Sequence, residues 1–294
     1  MIYIHFIVNP ISGNGKHNIT ASLLRNYFPR STFKIEVDYT KYKQHAIAIA
    51  KNVVTKNPDI VVACGGDGTI NEVASCLVGT AITLGIVPVG SGNGLASNLN
   101  IPKDLEKALG IIRKGHSTTI DVGQINHHYF FSNMGIGVDA AIIKKYEQLG
   151  KRTFTGYLKA ALLSGFRFKS TKTTLFYNNK TVNTNPYILF ISNSNEMGYK
   201  LTLTPRARLS DGWLDMVLVP DISVINKLQF GYAVLRNKIE QFKKAEHALI
   251  QNLRIEMPDR IFTDVQIDGE HYNLKTNCIA VCIVPKGLHV ITES

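Results

Sequence analysis

Residues 59–72 read Asp-Ile-Val-Val-Ala-Cys-Gly-Gly-Asp-Gly-Thr-Ile-Asn-Glu, in which a short apolar strand runs into a glycine turn and then into a helix. The glycines at positions 65, 66 and 68 lack the Cβ atoms that would keep a phosphate away from the backbone, and they permit a positive φ. Thr69 or Asn71 is expected to open the helix, whose first N–H groups attract an anion. This stretch therefore predicts a site for nucleotide phosphates.

Asp67 lies among the groups that are expected to hold phosphate. Its charge would repel a phosphate unless a divalent cation lay between them or the carboxylate had a positioning role. Because hard divalent cations prefer oxygen ligands, the stretch implies Mg2+. The alternative is an ordinary turn between a strand and a helix, with an exposed aspartate.

Two further glycine turns follow buried strands. One is Val89-Gly90-Ser91-Gly92-Asn93-Gly94, after a strand at residues 82–87, and the other is Asn9-Pro10-Ile11-Ser12-Gly13-Asn14-Gly15-Lys16, after a strand at residues 2–8. Ligands of open parallel sheets bind outside the carboxyl ends of the strands, so the three turns are expected to line one crevice. None of the three has the spacing of a P-loop or of a dinucleotide-binding turn.

The pattern changes near residue 120. Up to that point short apolar strands alternate with helical stretches, which favours an α/β N-terminal domain with a parallel sheet covered on both faces. Residues 121–285 contain many short, turn-bounded strands, which favours a C-terminal, mainly antiparallel β-sandwich or barrel. Helical insertions are expected at about 140–168 and 224–248. We therefore predict two domains, 1–120 and 121–285, with a junction near residues 117–121.

Composition places the chain among globular proteins. Its 294 residues are 45% hydrophobic, which suffices for one large or two ordinary domains. No secretion signal or membrane-spanning segment is visible, and a cytoplasmic protein is expected. The four cysteines lie in apolar runs without the spacing of a zinc site, so we expect reduced core residues. They are Cys64, Cys76, Cys278 and Cys282.

Positive charge is concentrated in one segment of a chain whose formal net charge is +11. Between Lys144 and Lys172 there are eight basic residues and one acidic residue, Glu147. A cationic face with aromatic anchors suits an anionic membrane surface. A solvated helix face is the alternative, and nucleic acid is not expected because no recognised nucleic-acid module accompanies the charge. The aromatic residues of the segment are Phe154, Tyr157, Phe166 and Phe168.

Taken in order, the motifs of this chain resemble those of the diacylglycerol kinase catalytic family, the lipid kinases that include bacterial diacylglycerol kinases and sphingosine kinases. The resemblance spans nearly the whole chain and includes the late Asp268-Gly269-Glu270, whereas Gly-Gly-Asp-Gly-Thr alone is shared with NAD kinases and phosphofructokinases. The other matching motifs are Asn9-Pro10-x-Ser12-Gly13, residues 40–46, Gly65–Thr69 with Asn71-Glu72, Gly90–Asn93, Gly135-x-Gly137-x-Asp139-Ala140 and Asp211-Gly212-x-Leu214-Asp215.

The resemblance implies roles for particular residues. Glu270 would be the base that accepts the proton of the acceptor hydroxyl, with Asp268 second and Asp67 also catalytic. Without the family, Glu270 would be interpreted as an exposed acid at a loop tip. Thr40 would lie near the nucleoside. The residues implied to contact the phosphates and ribose of ATP are Asn9, Pro10, Ile11, Ser12, Gly13, Gly66, Asp67, Gly68, Thr69, Ile70, Asn71, Glu72 and Ser91.

A second Mg2+, distinct from the one that accompanies ATP, is implied at residues 208–213. Its ligands would be the Asp211 carboxylate and the carbonyl groups of Arg208 and Trp213, although residues 211–215 on their own indicate only a turn that leads into a strand. Asp139 would contact the polar head of the lipid by resemblance to sphingosine kinases. Its alternative role is to cap a helix that begins at Ala140.

The acceptor is left open by one departure from the family pattern. Many bacterial members have Gly-Thr-x-Asn-Asp-Phe where this chain has Gly90-Ser91-Gly92-Asn93-Gly94-Leu95, a version similar to that of sphingosine and ceramide kinases. The resemblance also implies that residues of about 286–294 return to the first domain.

The sequence thus predicts a cytoplasmic, peripherally membrane-associated kinase that moves the γ-phosphate of ATP to the hydroxyl of a diacylglycerol or sphingoid-type lipid. Its partners would be the lipid and an anionic membrane surface, and a homodimer is left open. One alternative is an NAD kinase or another kinase of a soluble substrate. The other is a catalytically silent protein that binds lipid or nucleotide.

Overall fold

The computed structural model describes residues 1–15, 17–90, 92–150, 153–197, 201–260 and 263–293. The chain divides into two compact units. The first comprises Met1–Val122 with Pro285–Ser294, and the second comprises Gly123–Val284.

The first unit alternates strands and helices. Its elements are β1 (Ile2–Val8), α1 (Ala21–Tyr27), β2 (Phe33–Tyr39), α2 (His45–Thr55), β3 (Ile60–Gly65), α3 (Asp67–Leu77), β4 (Thr83–Pro88), α4 (Gly94–Asn98) and α5 (Leu105–Lys114). A short 3-10 helix spans Ser12–Gly15.

The rest of the chain is mainly strands. Its elements are β5 (Ser117–Ile125), β6 (His128–Phe130), β7 (Asn133–Gly137), α6 (Val138–Leu149), α7 (Phe154–Gly165), β8 (Thr173–Tyr177), β9 (Lys180–Thr184), β10 (Pro186–Ser192), β11 (Leu214–Pro220), α8 (Val224–Leu235), β12 (Glu246–Ile250), β13 (Asn252–Glu256), β14 (Thr263–Ile267), β15 (Glu270–Leu274) and β16 (Cys278–Ile291). A 3-10 turn spans Ile239–Gln241.

The sheet of the first unit is parallel, in the order β2-β1-β3-β4. Every residue of β3 is buried, as expected for a strand covered on both faces. Val8 lies opposite both Tyr39 and Cys64, and Cys64 lies opposite Val87. Because the strands end at the same level, the turns that follow them meet at one edge. The end of β16 joins this sheet, where Val290 pairs with Leu84 in parallel.

The second unit has antiparallel sheets with apolar side chains packed between them. One sheet has the order β12-β11-β10-β7-β14-β15. In the other, the first part of β16 pairs with β13, β13 pairs with β8, and β8 pairs with β9. The core includes Phe130, Leu189, Met216 and Val281. A second apolar cluster covers the other side of β10 and β11 with residues of α6 and α8. The predicted fold class, an α/β domain followed by an antiparallel β-sandwich domain, is therefore confirmed.

Several predicted boundaries were wrong. The first helical residue of α3 is Asp67, not Thr69 or Asn71, and its N-cap Gly66 has φ −91° rather than a positive φ. The expected insertion at 140–168 is two helices, α6 and α7. The insertion expected at 224–248 ends as an α-helix at Leu235, and strand β12 occupies its last part because it pairs with β11.

The four cysteines differ in burial. Cys64 is buried, but Cys278 is exposed, so the expectation that all four cysteines lie in the core was wrong. Cys278 opens β16 at a position whose side chain faces outward. Among the residues that the structure describes, no helix has both the length and the apolar character needed to cross a bilayer.

Replacing Gly90 with alanine is expected to lower the free energy of unfolding by about 1–3 kcal/mol. The added Cβ would lie 2.6 Å from Gly66 Cα and 2.8 Å from Asn93 Oδ1, so the two turns would have to separate. The control is Gly110→Ala in α5, where an added Cβ meets nothing within 4 Å and should raise the free energy of unfolding by about 0.5–1 kcal/mol. Urea unfolding measures both, and equal effects of the two substitutions would contradict the close approach of the turns.

Candidate active site

The turns that follow β1, β2 and β3 are connected by hydrogen bonds. The Asn9 backbone N–H donates to the Cys64 carbonyl at 2.9 Å, and its side-chain Nδ2 donates to Thr69 Oγ1 at 2.9 Å. The Thr40 N–H donates to the Val8 carbonyl at 2.9 Å, which holds the turn after β2 beside the turn after β1. Residues that are 60 positions apart in sequence thus lie at one edge of the sheet.

Asp67 connects the turn after β3 to the turn after β4. Its Oδ2 accepts the Asn93 N–H at 2.8 Å, and its Oδ1 accepts the Gly94 N–H at 2.7 Å. These amides begin α4, for which Asn93 is the N-cap with φ 64°. The carboxylate therefore has the positioning role that the sequence left open beside metal binding.

The Asn93 side chain closes the second turn on itself. Its Oδ1 accepts the Gly90 N–H at 3.0 Å, and its Nδ2 donates to the Gly90 carbonyl at 2.6 Å. Asn93 is 2% exposed, so these bonds form away from water. The turn is consequently a closed unit that Asp67 can hold in one place.

Several glycines are required because the turns pack against one another. A Cβ on Gly92 would lie 2.6 Å from Asp67 Oδ2, and one on Gly13, which has φ 61°, would lie 2.7 Å from the Val89 carbonyl oxygen. A Cβ on Gly65 would lie 2.6 Å from the Thr69 side chain. The missing Cβ of Gly65 thus makes room for Thr69, and the expectation that it also admits a phosphate stays a prediction.

The N-terminus of α3 faces the edge where the turns meet. The first N–H groups of a helix have no carbonyl partner within it and carry partial positive charge, so they can bind an anion. The residues implied to bind nucleotide differ in how far their side chains are exposed at this edge. Ile11 is 80% exposed, whereas the Ile70 side chain is 2% exposed and its N–H donates to the Gly66 carbonyl. The Ile70 side chain belongs to the core, and contact of Ile70 with the nucleotide stays a prediction.

The remaining predicted nucleotide contacts lie around this edge or outside the described structure. Thr69 is buried and accepts a hydrogen bond from Asn9, while Asn71 and Glu72 are half-buried on α3. Ser91 falls outside the described residues. Its contact with phosphate therefore stays a prediction.

In the second unit, Asp268 fixes the hairpin between β14 and β15. Its Oδ1 accepts the N–H groups of Ser132 at 2.8 Å and Asn133 at 3.0 Å, and its Oδ2 accepts the Phe131 N–H at 2.9 Å. The turn residues Asp268 and Gly269 have φ 46° and 81°, as in the two-residue hairpins that match strand twist. Asp268 thus holds the hairpin onto the segment that enters β7.

Glu270 is the first residue of β15 rather than a loop residue, and it lies opposite Ile267 of β14. Its side chain is half-buried. The next residue, His271, is held by α6, because its N–H donates to Glu147 Oε1 at 2.9 Å. The His271 ring nitrogen Nε2 lies 3.0 Å from Asp264 Oδ1. The backbone that carries Glu270 is therefore fixed from both sides.

Asp139 is buried in the first turn of α6. The helix begins at Val138 with Gly137 as its N-cap, so the alternative role of Asp139 as the cap of a helix beginning at Ala140 was wrong. The carboxyl is 3% exposed, and its Oδ2 has no hydrogen-bond partner. Burial raises the pKa of Asp139 to about 7, although a hydrogen bond with Gln266 acts in the opposite direction.

The predicted metal ligands at residues 208–213 lie on an exposed turn. Asp211 Oδ1 accepts the Trp213 N–H at 3.1 Å. Burial, followed by the negative charge of Asp211, raises the pKa of Asp215 to about 6. A cation would relieve this repulsion, so the oxygen donors fit Mg2+. Within the described ranges no three His, Cys, Asp or Glu side chains form a metal-binding group, and the predicted set contains only one carboxylate.

Sequence reasoning missed the buried amides that support the second-unit residues. Gln266 Nε2 donates to Asn133 Oδ1, and Gln266 Oε1 accepts the Gly269 N–H at 2.8 Å. Gln266 and Asn133 are 2% and 4% exposed. The available signal was a polar residue inside an apolar strand, as in Val265-Gln266-Ile267.

Comparisons with known proteins cover both units. Residues 3–125 match the diacylglycerol kinase catalytic domain, and residues 132–292 match the YegS C-terminal NAD kinase beta sandwich-like domain. Proteins named diacylglycerol kinase from Staphylococcus aureus strains JH9 and Newman are each 26% identical over 276 residues, covering 90% of this chain and 85% of the relative. A crystal structure of a diacylglycerol kinase from Bacillus anthracis strain Sterne has a TM-score of 0.80 at 21% identity, covers 99% of this chain and 97% of that one, and shows the shared fold.

The burial of Asp139 predicts a pH-dependent stability. Its pKa rises from the ordinary 3.8 to about 7, so the folded state binds this proton more tightly than the unfolded state does. This tighter proton binding contributes to the free energy of unfolding. The stabilisation is fully present below a pH of about 4 and is lost as the pH rises through about 7. We expect the free energy of unfolding of Asp139→Asn, relative to wild type, to increase between these values and then level off. Urea unfolding across this pH range measures it, and a difference independent of pH would contradict the assignment.

Proposed function

The chain belongs to the diacylglycerol kinase catalytic family, a family of lipid kinases, and we propose that it transfers the γ-phosphate of ATP to the hydroxyl of a diacylglycerol or sphingoid-type lipid. The observation that carries this proposal is the Asp67 contact with Asn93 and Gly94. It places the glycine turns beside the N-terminus of α3. Phosphoryl transfer mainly requires such positioning and charge stabilisation from the protein.

The first unit supplies groups that suit a polyphosphate. The N–H groups at the start of α3 would donate to phosphate oxygens, and the turn at Asn9–Gly13 would lie beside them. Because Asp67 already accepts two amide hydrogen bonds, part of its negative charge is compensated. This arrangement supports a triphosphate at the edge of the sheet, with Thr40 on the side of the nucleoside.

The contacts of the two acids in the late motif support Glu270 as the general base. Asp268 accepts three backbone N–H groups, and these bonds occupy both oxygens of its carboxylate. Glu270 is half-buried on a fixed strand, where a carboxylate can accept a proton from a hydroxyl. We assign proton acceptance to Glu270 and positioning of the hairpin to Asp268.

Magnesium is proposed at two places. With ATP it would screen phosphate charge. At the turn of Asp211, the carboxylate and the carbonyls of Arg208 and Trp213 would hold a second, structural ion. Burial is the larger cause of the raised pKa of Asp215, and the nearby Asp211 charge adds to it, so a cation at this turn would be favourable to both carboxylates.

The remaining assignments concern the lipid and the membrane. Contact between Asp139 and the lipid head stays a prediction. The basic segment 144–172 is proposed to face an anionic membrane, and its exposed side chains include Phe154 and Phe166. Peripheral association with the cytoplasmic membrane surface follows from that proposal.

A direct assay tests the reaction. Purified protein is incubated with labelled ATP, Mg2+ and separate acceptors: diacylglycerol, monoacylglycerol, ceramide, sphingoid bases and NAD. Label in a lipid product supports the proposal, and label in NAD alone favours the kinase of a soluble substrate. The absence of any labelled product, together with retained lipid or nucleotide binding, favours the silent binding protein.

Replacing Glu270 with glutamine is expected to lower kcat by about 10²–10⁴-fold, because the variant retains the shape but not the base. Its unfolding midpoint should stay close to that of wild type. Asp268→Asn should instead reduce stability, since it weakens bonds to three backbone amides. Glu256→Gln serves as the matched control in the same unit. If Glu270→Gln retains wild-type kcat, Glu270 is not the base.

Added Mg2+ without nucleotide is expected to raise the thermal unfolding midpoint of the wild type. Binding to the folded state alone stabilises it by about 2.7 kcal/mol when Mg2+ is at 100 times its Kd. Asp211→Asn should lose this response, whereas Asp259→Asn, which removes an exposed carboxylate of the same unit, should keep it. Equal responses of the two variants would exclude Asp211 as a ligand.

A further inference from the structure

Helix α8 carries an apolar stripe on its solvent side. At about 100° per residue, the stripe residues fall within an arc of about 100° on the helix surface. Their exposed fractions range from 47% to 69%. A surface helix normally places polar residues opposite its core face, so this stripe needs a partner. The stripe consists of Val224, Ile225, Leu228, Tyr232 and Leu235.

The stripe is not the face with which α8 packs on its own unit. Phe230 and Ala233 lie on the opposite side of the helix and are 8% and 9% exposed. The Phe230 ring packs edge-on against Tyr187 at 5.9 Å between centroids. Lys227 Nζ donates to the Phe168 carbonyl at 3.3 Å. These contacts fix α8 in an orientation that keeps the stripe outward.

Lysines adjoin the stripe. The groove beside Tyr232 is lined by Lys238, Lys243 and Lys244, and its lining within the described residues includes no acid. The acid Glu240 nearby forms an ion pair with Arg206 at 2.7 Å. The surface beside the Tyr232 end of the apolar stripe therefore carries a positive charge.

We propose that the stripe of α8 and these lysines dock the second unit on an anionic lipid bilayer. An amphipathic helix in this setting lies in the plane of the membrane, with apolar side chains in the acyl boundary and lysines at the headgroups. The 12-residue helix is about 18 Å long, which suits this placement. None of these residues is among those proposed to bind the nucleotide or to accept the proton. Docking of this surface is independent of which lipid is phosphorylated.

A second copy of the chain fits this surface less well. Two stripes that faced each other would bring both sets of lysines together, and like charges across an interface oppose association. A standard protein interface uses about 20–30 residues on each side, whereas the stripe has five. Positive charge beside a small apolar surface favours lipid.

Vesicle sedimentation of the full chain tests the proposal. Wild type should sediment with vesicles of phosphatidylcholine and phosphatidylglycerol, and more weakly with phosphatidylcholine alone. Ile225→Gln/Leu228→Gln should reduce the partition coefficient by roughly tenfold or more, because two apolar side chains no longer insert. The matched control, Ile225→Leu/Leu228→Met, retains the apolar character and should bind as wild type does.

The lysines are tested by Lys243→Gln/Lys244→Gln, which should weaken binding to anionic vesicles by roughly tenfold or more and leave binding to neutral vesicles unchanged. Wild-type protein that does not sediment with anionic vesicles overturns the proposal. Unchanged vesicle binding by the glutamine variants also overturns the proposal. This holds even if analytical ultracentrifugation shows that these variants abolish a dimer, a result that would favour a second copy of the chain as the partner of the stripe. Phosphorylation of diacylglycerol and of sphingoid bases in detergent micelles is measured in parallel. Vesicle binding without either activity would reject the proposed function and retain the docking surface.

Discussion

The first unit depends on a carboxylate that binds two backbone amides across the edge of its sheet. Asp67 accepts the N–H groups of Asn93 and Gly94, and this contact sets the distance between the turns that follow β3 and β4. The turns pack so closely that a Cβ on Gly92 would strike the Asp67 carboxylate. The Asp67 hydrogen bonds therefore require glycine at position 92. Its result is a set of amides at the start of α3 that can receive an anion.

The second unit uses the same physical device for another purpose. Asp268 accepts three backbone N–H groups and holds a hairpin whose two turn residues have positive φ. In both units a motif aspartate stabilises backbone geometry by charge-assisted hydrogen bonds. This leaves Glu270, at the start of the strand that Asp268 positions, as the acid of that motif proposed for proton transfer. In the proposed reaction, Asp67 and Asp268 thus position the backbone, and Glu270 accepts the proton.

Burial distinguishes another acid from these two. Asp139 has one oxygen without a hydrogen-bond partner, and burial raises its pKa to about 7. Helix α8, in contrast, exposes apolar side chains that a folded core would ordinarily cover. Both features cost stability in isolation, and such local conflicts are expected where a protein meets a ligand or a partner. The proposed lipid substrate and lipid surface would give each of them a role.

The sequence by itself determined the order of elements in the first unit, the parallel sheet, the antiparallel second unit and the resemblance to lipid kinases. Apolar runs and glycine turns are local signals, so they predicted β1, β3 and β4 and the turns at their ends. Only the tertiary structure decided what each polar group contacts. Asp67 binds an amide 26 residues away, and Asp268 binds one 135 residues away. A local pattern cannot specify such partners, nor the pairing that makes residues 246–250 a strand, because these depend on which segments the folded chain brings together.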